Sequence, residues 1–133
     1  MEFFTWGTLI ISRSKFSDSL ILAVLKDRGT SFASERDWDQ FHSPKNLAIA
    51  LSVEAGELLE QFQWIGDLES ASPSSGQRVR IAEEIADMLL YLIRLADKLD
   101  INLVEAAHSK LQINALKYPV DRARGSSKKY TEL

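Results

Sequence analysis

The chain has 133 residues, the length of one domain with a single sizeable core. Its 16 Lys and Arg against 19 Asp and Glu give a net charge of -3, which argues against a protein that wraps nucleic acid. The absence of cysteine excludes disulfides, thiolate catalysis and cysteine-based zinc sites. Because no apolar run nears the roughly 20 residues of a membrane span and no leader pattern is apparent, we expect a cytoplasmic protein without membrane or nucleic-acid partners.

The amino-terminal part of the chain divides into an arm and the start of a domain. Residues 1–16 show no clear period, so we interpret them as an arm ahead of an all-α domain over residues 17–133. A first helix is predicted over residues 18–28, where leucine, isoleucine and valine make an apolar side. Gly29 follows this segment and suits the position that ends a helix.

Three more helices are predicted, over residues 44–64, 78–99 and 103–117. The first of them begins at Ser43-Pro44, a capping hydroxyl followed by proline at a position where its missing N–H costs nothing. A loop rich in Ser, Pro and Gly separates the first two. No convincing strand pattern occurs among these segments, so the sequence predicts an all-α fold that resembles a four-helix bundle.

Two acidic pairs stand out on consecutive predicted helices. Glu54 and Glu57 form the first pair, and Glu84 and Asp87 form the second. Residues three apart share one face of a helix, so the two carboxylates of each pair repel each other. Glu54 also lies on an apolar stripe, where an acid is costly unless it is paired or bound to a metal. The stripe is formed by Leu47, Leu51 and Leu58.

The acidic pairs therefore indicate a site for a hard divalent cation with oxygen ligands, such as magnesium. Ordinary surface acids on two helices are the alternative that spacing alone leaves open. A di-iron centre needs a Glu-x-x-His motif on each of two helices, and only Glu105 and His108 supply one here.

The aromatic and basic residues each allow two interpretations. Trp38, Phe41, Trp64 and Tyr91 are explained either by core packing or by a pocket that stacks a planar base. The basic residues near the carboxyl end form either a solvated surface or a polyphosphate-binding segment; they are Lys110, Lys117, Arg122, Arg124, Lys128 and Lys129.

Several segments together are similar to a known family. The chain resembles the MazG-like nucleoside triphosphate pyrophosphohydrolases, and within them the dCTP pyrophosphatase branch. The segments that carry the resemblance are ERDWDQFH (35–42), EAGELLEQFQW (54–64), EEIADMLLYL (83–92), KYPV (117–120) and RGSSKKYT (124–131). One position departs from the pattern of the dCTP pyrophosphatase branch. Its dCTP-specific members have a histidine nine residues before the tryptophan that corresponds to Trp38, where this chain has Gly29.

The resemblance implies a homotetramer, a dimer of dimers, with active sites shared between subunits. It implies hydrolysis of (deoxy)nucleoside triphosphates, dCTP or a modified dCTP among them, to monophosphate and pyrophosphate, a house-cleaning reaction of the nucleotide pool. The cofactor would be magnesium, which manganese can replace. By the same likeness the catalytic and metal-binding residues are Glu54, Glu57, Glu84 and Asp87, and the substrate-binding residues are Trp38, Trp64, Tyr91, Lys110, Asn114, Arg124, Lys128 and Tyr130. The alternative is a non-catalytic helical interaction or metal-binding module.

Overall fold

A computed structural model describes the backbone from Trp6 to Leu133 and the side chains from Leu20 onward. This part of the chain contains helices and turns but no strand, so the predicted all-α class is confirmed. The long helices are α1 (Trp6–Glu35), α2 (Pro44–Glu60), α4 (Ser75–Lys98) and α5 (Leu103–Lys117), and the short ones are α3 (Asp67–Ser70) and α6 (Val120–Ala123). Single 3₁₀ turns occupy Asp39–Phe41 and Tyr130–Glu132.

Helix α1 is longer than predicted at both ends. It begins at Trp6, so the predicted boundary between arm and domain at residues 16 and 17 falls inside it, and residues 1–5 lie outside the described backbone. The helix also continues through Gly29, which keeps a negative φ. The prediction that Gly29 ends the helix was therefore wrong.

The end of α1 is made by Asp37 instead of a glycine. Asp37 has a φ of 55°, and aspartate is one of the few residues that tolerate this left-handed conformation. The N–H of Trp38 donates to the carbonyl of Ala33 at 2.9 Å, and the N–H of Asp37 donates to that of Ser34 at 3.1 Å. These two bonds form a Schellman motif, which satisfies the last carbonyls of the helix.

The starts of α2, α4 and α5 follow from side-chain caps. Ser43 accepts a hydrogen bond from the N–H of Asn46, and Asn102 accepts one from that of Glu105, as their positions in the sequence predicted. Ser74 and Gln77 form a reciprocal capping box, so α4 begins at Ser75, slightly before the predicted start at residue 78. Helix α2 ends at Glu60, short of the predicted Trp64, and irregular turns follow.

The chain forms two compact units, the first ending at Asp100 and the second spanning Ile101–Leu133. In the first unit α4 packs against both α2 and α1. The side chains at the centre of this packing are buried: Ala33, Leu47, Ile93 and Ala96. In the second unit, the ring of Tyr130 packs edge-on against Tyr118 at 5.9 Å, and the ammonium of Lys117 lies 5.0 Å from its centre.

Large apolar side chains remain exposed on the first unit. Ile85, Leu89 and Leu92 make an uncovered stripe along α4, and Ile49 and Val53 are exposed on α2. Contiguous apolar surface of this kind is typical of a protein–protein interface. Among the helices that the structure describes, none combines the length and the apolarity needed to cross a membrane.

Candidate functional site

Three of the four predicted acids come together between two packed helices. Glu54 lies on α2, and Glu84 and Asp87 lie one turn apart on α4. One carboxylate oxygen from each lies within 4.8 Å of the other two. Glu54 and Glu84 are half-buried, as their place beside apolar stripes predicted, while Asp87 is exposed.

Glu57, the fourth predicted acid, lies outside this group of three. It is exposed, one turn after Glu54 on α2. Its negative charge nevertheless raises the pKa of both Glu54 and Glu84, so it contributes to the same electrostatic field. The four acids thus act on one another, but only three present oxygens close enough for a single ion.

The pKa values of Glu54 and Glu84 are both raised above the ordinary value of 4.5. For each, the largest cause is loss of water around the carboxylate, and the next is the charge of Glu57. Asp87 adds to both shifts. Among the described side chains, none of these acids forms an ion pair with lysine or arginine.

The group of three fits a bound divalent cation. Oxygen ligands that surround magnesium at 2.0–2.1 Å lie at most about 4.2 Å apart, so small side-chain rotations would close the observed spacing. Carboxylates are the ligand type that such hard cations prefer. A cation there would also relieve the mutual repulsion that raises the pKa values of Glu54 and Glu84.

The raised pKa values predict an unusual pH dependence of stability in metal-free protein. Well below pH 4.5 the two carboxyls are protonated in both the folded and the unfolded chain, and they do not repel other charges. As the pH rises through the elevated folded-state pKa values, the folded chain gains repelling charges and loses stability. We expect the free energy of unfolding of chelator-treated protein, relative to that of Glu84→Gln, to fall between pH 4.5 and 7 in urea titrations. Equal slopes for the two proteins would contradict this.

A cavity of about 510 Å³ adjoins these carboxylates within the first unit. Its lining residues include the acids Glu54 and Asp87 and the aromatic residues Trp38 and Tyr91. The cavity therefore combines a patch that suits a cation with a wall that suits a planar ring. Its remaining lining residues are Leu25, Arg28, Gly29, Phe32, Ala33, His42, Leu90 and Arg94.

The aromatic wall is built from α1 and the segment after it. We call residues 37–42 the Trp38 turn; it contains the 3₁₀ turn Asp39–Phe41. The ring of Trp38 meets that of Phe32 edge to face, with centroids 5.8 Å apart. The guanidinium of Arg36 lies over the ring of Phe32, 3.6 Å from its centroid. The ring of Trp38 is thus supported from α1.

The other predicted substrate-binding residues belong to other segments of the chain. Trp64 is 88% exposed in the turns after α2 and is not among the residues that line the cavity. Five more belong to the second unit, where Lys110 and Asn114 lie on α5. Tyr130, as described above, packs on Tyr118 beside Lys117. The remaining two are the exposed side chains of Arg124 and Lys128.

Sequence reasoning missed several lining residues: Arg28, Phe32, His42 and Arg94. One of them carried a usable signal. Arg94 interrupts the apolar run Leu92-Ile93-Arg94-Leu95, just as Glu54 interrupts the stripe on α2. A charge inside an apolar helix face needs partners, and here they lie on segments distant in sequence.

Comparison with known proteins places the chain in a family. A family model described as MazG-like matches residues 49–133. Human dCTP pyrophosphatase 1 is 45% identical over 123 residues, which cover 91% of this chain and 72% of the human protein. The chain belongs to the MazG-like family. The mouse protein of the same name is 42% identical over 121 residues, covering 90% of this chain and 71% of its own length.

A solved structure agrees with the MazG-like assignment. A pyrophosphatase from Archaeoglobus fulgidus superposes with a TM-score of 0.67 at 41% identity, covering 70% of this chain and 87% of that one. The predicted family and its dCTP pyrophosphatase branch are confirmed by these matches. The MazG-like match begins within α2, so it includes all four acids, whereas the Trp38 turn lies before it.

Proposed function

We propose that this protein hydrolyses (deoxy)nucleoside triphosphates to monophosphate and pyrophosphate with magnesium, and that dCTP or a modified dCTP is its substrate. The observation that carries the proposal is the single cavity that joins the carboxylates Glu54 and Asp87 to the rings of Trp38 and Tyr91. A nucleotide has the matching parts, a charged triphosphate and a planar base. The named relatives are dCTP pyrophosphatases, which supports a hydrolase of phosphorus anhydrides.

Glu54, Glu84 and Asp87 would hold the metal. Magnesium, when bound there, would supply charge neutralisation to the triphosphate and lower the pKa of a bound water. Phosphoryl-transfer chemistry depends mainly on such neutralisation and on in-line positioning. The half-burial of Glu54 and Glu84 strengthens their hold on a cation, because less water competes for it.

Glu57 is the residue we assign as general base. Its carboxylate lies close enough to influence the pKa of Glu54 and Glu84 but outside the group of three, so it would be available to accept a proton. It would take a proton from the water whose oxygen attacks the α-phosphorus. The bond between the α-phosphorus and the bridging oxygen then breaks, and pyrophosphate leaves with that electron pair. Glu60, one turn further along α2, is the alternative acceptor.

The base would stack in the aromatic part of the cavity. Trp38 offers the larger ring and Tyr91 the second, and each base has a face suited to such stacking. Gly29 lines the same cavity, and a Cβ built at this position would meet no atom within 4 Å. This open space is the reason to include methylated dCTP among the candidate substrates.

We further propose a homotetramer, a dimer of dimers, with sites completed across subunits. The uncovered stripe of Ile85, Leu89 and Leu92 on α4 supports burial against another chain. The almost fully exposed Trp64 is suited to reach a neighbour's cavity. Lys110, Asn114, Arg124, Lys128 and Tyr130 remain, on the family likeness, the proposed contacts to sugar and phosphates. The cytoplasm, with its nucleotide pool, is the compartment we propose.

The decisive experiment is a substrate panel with product analysis. Purified protein with magnesium is given dCTP, 5-methyl-dCTP, dTTP, dATP and dUTP, and the products are separated by ion-exchange chromatography. We expect monophosphate and pyrophosphate in equal amounts, with the highest kcat/KM for a cytosine nucleotide. Release of single phosphate would contradict the assigned bond, and a preference for dATP would contradict the assigned base.

A further inference from the structure

Arg94 is the one charged side chain that is buried among residues 20–133, with 9% of the residue exposed. It lies near the carboxyl end of α4, between the buried Ile93 and the half-buried Leu95. It also lines the cavity, on the same helix as Asp87 and Tyr91. Burying a guanidinium costs free energy unless its N–H donors are hydrogen-bonded. The hydrogen-bond partners of Arg94 therefore explain how it can be buried.

The partners of Arg94 lie on three segments of the first unit. One terminal nitrogen donates to the hydroxyl of Thr30 on α1 at 3.0 Å and to the carboxylate of Asp97 on α4 at 3.2 Å. The other terminal nitrogen pairs with the carboxylate of Asp39, in the Trp38 turn. The Nε–H group donates to Nδ1 of His42, in the same turn, at 3.4 Å. The planar guanidinium carries five N–H donors, so it can bind groups on several segments at once. We call Arg94 and these four partners the junction.

A second cation reinforces the anchor on the turn. The ammonium of Lys98, one turn after Arg94, donates to the same oxygen of Asp39 at 2.8 Å. The pKa of Asp39 is lowered, first by this hydrogen bond from Lys98 and further by the charges of Lys98 and Arg94. Asp39 therefore stays ionised at neutral pH, and its pairing with α4 persists.

These contacts bear directly on Trp38. Asp39 follows it in the chain, and the N–H of Phe41 donates to the carbonyl of Trp38 at 2.9 Å, closing the 3₁₀ turn. Fixing Asp39 and His42 from α4 therefore fixes the backbone that carries the ring. The edge contact with Phe32 supports the ring from α1.

We propose that Arg94 is a positioning residue for nucleotide binding, acting through the Trp38 turn. It holds the turn against α1 and α4, so that the ring of Trp38 is already placed when a base arrives. The effect of Arg94 on nucleotide affinity rests on the proposed function. Its effect on how rigidly the Trp38 turn is held does not. Pre-ordering of this kind reduces the entropy lost on binding.

The test compares wild type with Arg94→Met, which keeps the length of the side chain but removes its donors. We expect amide hydrogen exchange at Phe41 and His42 to quicken at least about tenfold, as expected when charge-assisted bonds are lost. KM for the best nucleotide should rise by about tenfold while kcat falls less. The shift in Tm caused by magnesium alone should stay as in wild type, because the carboxylates are untouched.

Matched variants separate this role from general destabilisation. Arg80→Met makes the same change on the same helix, at an exposed arginine that donates a hydrogen bond to Gln61 and does not line the cavity, and should leave KM and exchange unchanged. If Arg94→Met does not fold, Asp39→Asn removes the charge of the carboxylate that pairs with Arg94 and Lys98, while His42 keeps its bond to Arg94; it should raise KM and exchange in the same direction, by less. Arg94→Lys should not restore wild-type KM, because one ammonium cannot serve three segments.

The outcomes distinguish this inference from the proposed function. If wild type hydrolyses none of the nucleotides, the proposed function fails, and the exchange of Phe41 and His42 still tests the junction. If the wild type is active and Arg94→Met keeps wild-type KM and wild-type exchange, the positioning role is overturned. Faster exchange across the whole first unit, with no difference between the Trp38 turn and α2, would also overturn it.

Discussion

Replacing Glu54 with glutamine should abolish turnover and leave a folded protein. The substitution removes one of three ligands to the proposed metal, and metal stabilisation of the transition state is worth several kcal/mol. We therefore expect kcat/KM to fall at least about a hundredfold. Metal-free Glu54→Gln should be no less stable than wild type, because a charge repelled by Glu57 and Asp87 is gone. Magnesium should no longer raise its Tm, since binding to the folded state is lost.

Two controls make this result specific to the site. Asp87→Asn removes a different ligand of the same group and should reproduce the loss of turnover and of the magnesium effect. Glu69→Gln makes the same chemical change on the exposed helix α3 and should leave both properties intact. A Glu54→Gln protein that keeps wild-type kcat and a full Tm shift would show that the acids are ordinary surface residues.

Replacing Trp38 with alanine should weaken substrate binding more than it slows the chemical step. Stacking of a base on an aromatic ring is worth roughly 1–3 kcal/mol, so KM should rise by about 5- to 150-fold. The Tm shift with magnesium alone should persist, because Trp38 does not contribute to the group of carboxylates. Steady-state kinetics with dCTP and a thermal titration with magnesium provide the two measurements.

The control for Trp38→Ala lies three residues away in the same turn. Phe41 is 59% exposed and does not line the cavity, so Phe41→Ala should change KM little. Trp38→Phe keeps a smaller ring and should give an intermediate KM. Equal KM values for wild type, Trp38→Phe and Trp38→Ala would remove this tryptophan from the binding site.

Local patterns in the sequence predicted most of the fold because each acts within one turn of helix. The caps Ser43 and Asn102 depend on a hydrogen bond three residues ahead, and both are found. Gly29 failed as a stop because glycine permits a left-handed conformation without requiring it. Asp37 adopts that conformation instead, and aspartate is a far weaker signal than glycine for a helix end.

Site residues could be predicted from sequence where the pattern of a single helix face marked them. Contacts between segments far apart in the sequence could not. Glu54 could be identified because an acid on an apolar stripe is already anomalous in sequence. The bond from Arg94 to Thr30, and its pairing with Asp39, join segments more than fifty positions apart, which no local pattern specifies.

Gly29 has a consequence for how this protein can be altered. An alanine inside a helix is favoured over glycine by roughly 0.5–1 kcal/mol, and no neighbouring atom at this position stands in the way of a side chain. Neither the backbone nor the packing therefore requires glycine there. A single substitution there would narrow the cavity while stabilising α1. If the cavity binds the base as proposed, position 29 is therefore a site at which evolution, or a saturation library, could change which base is preferred.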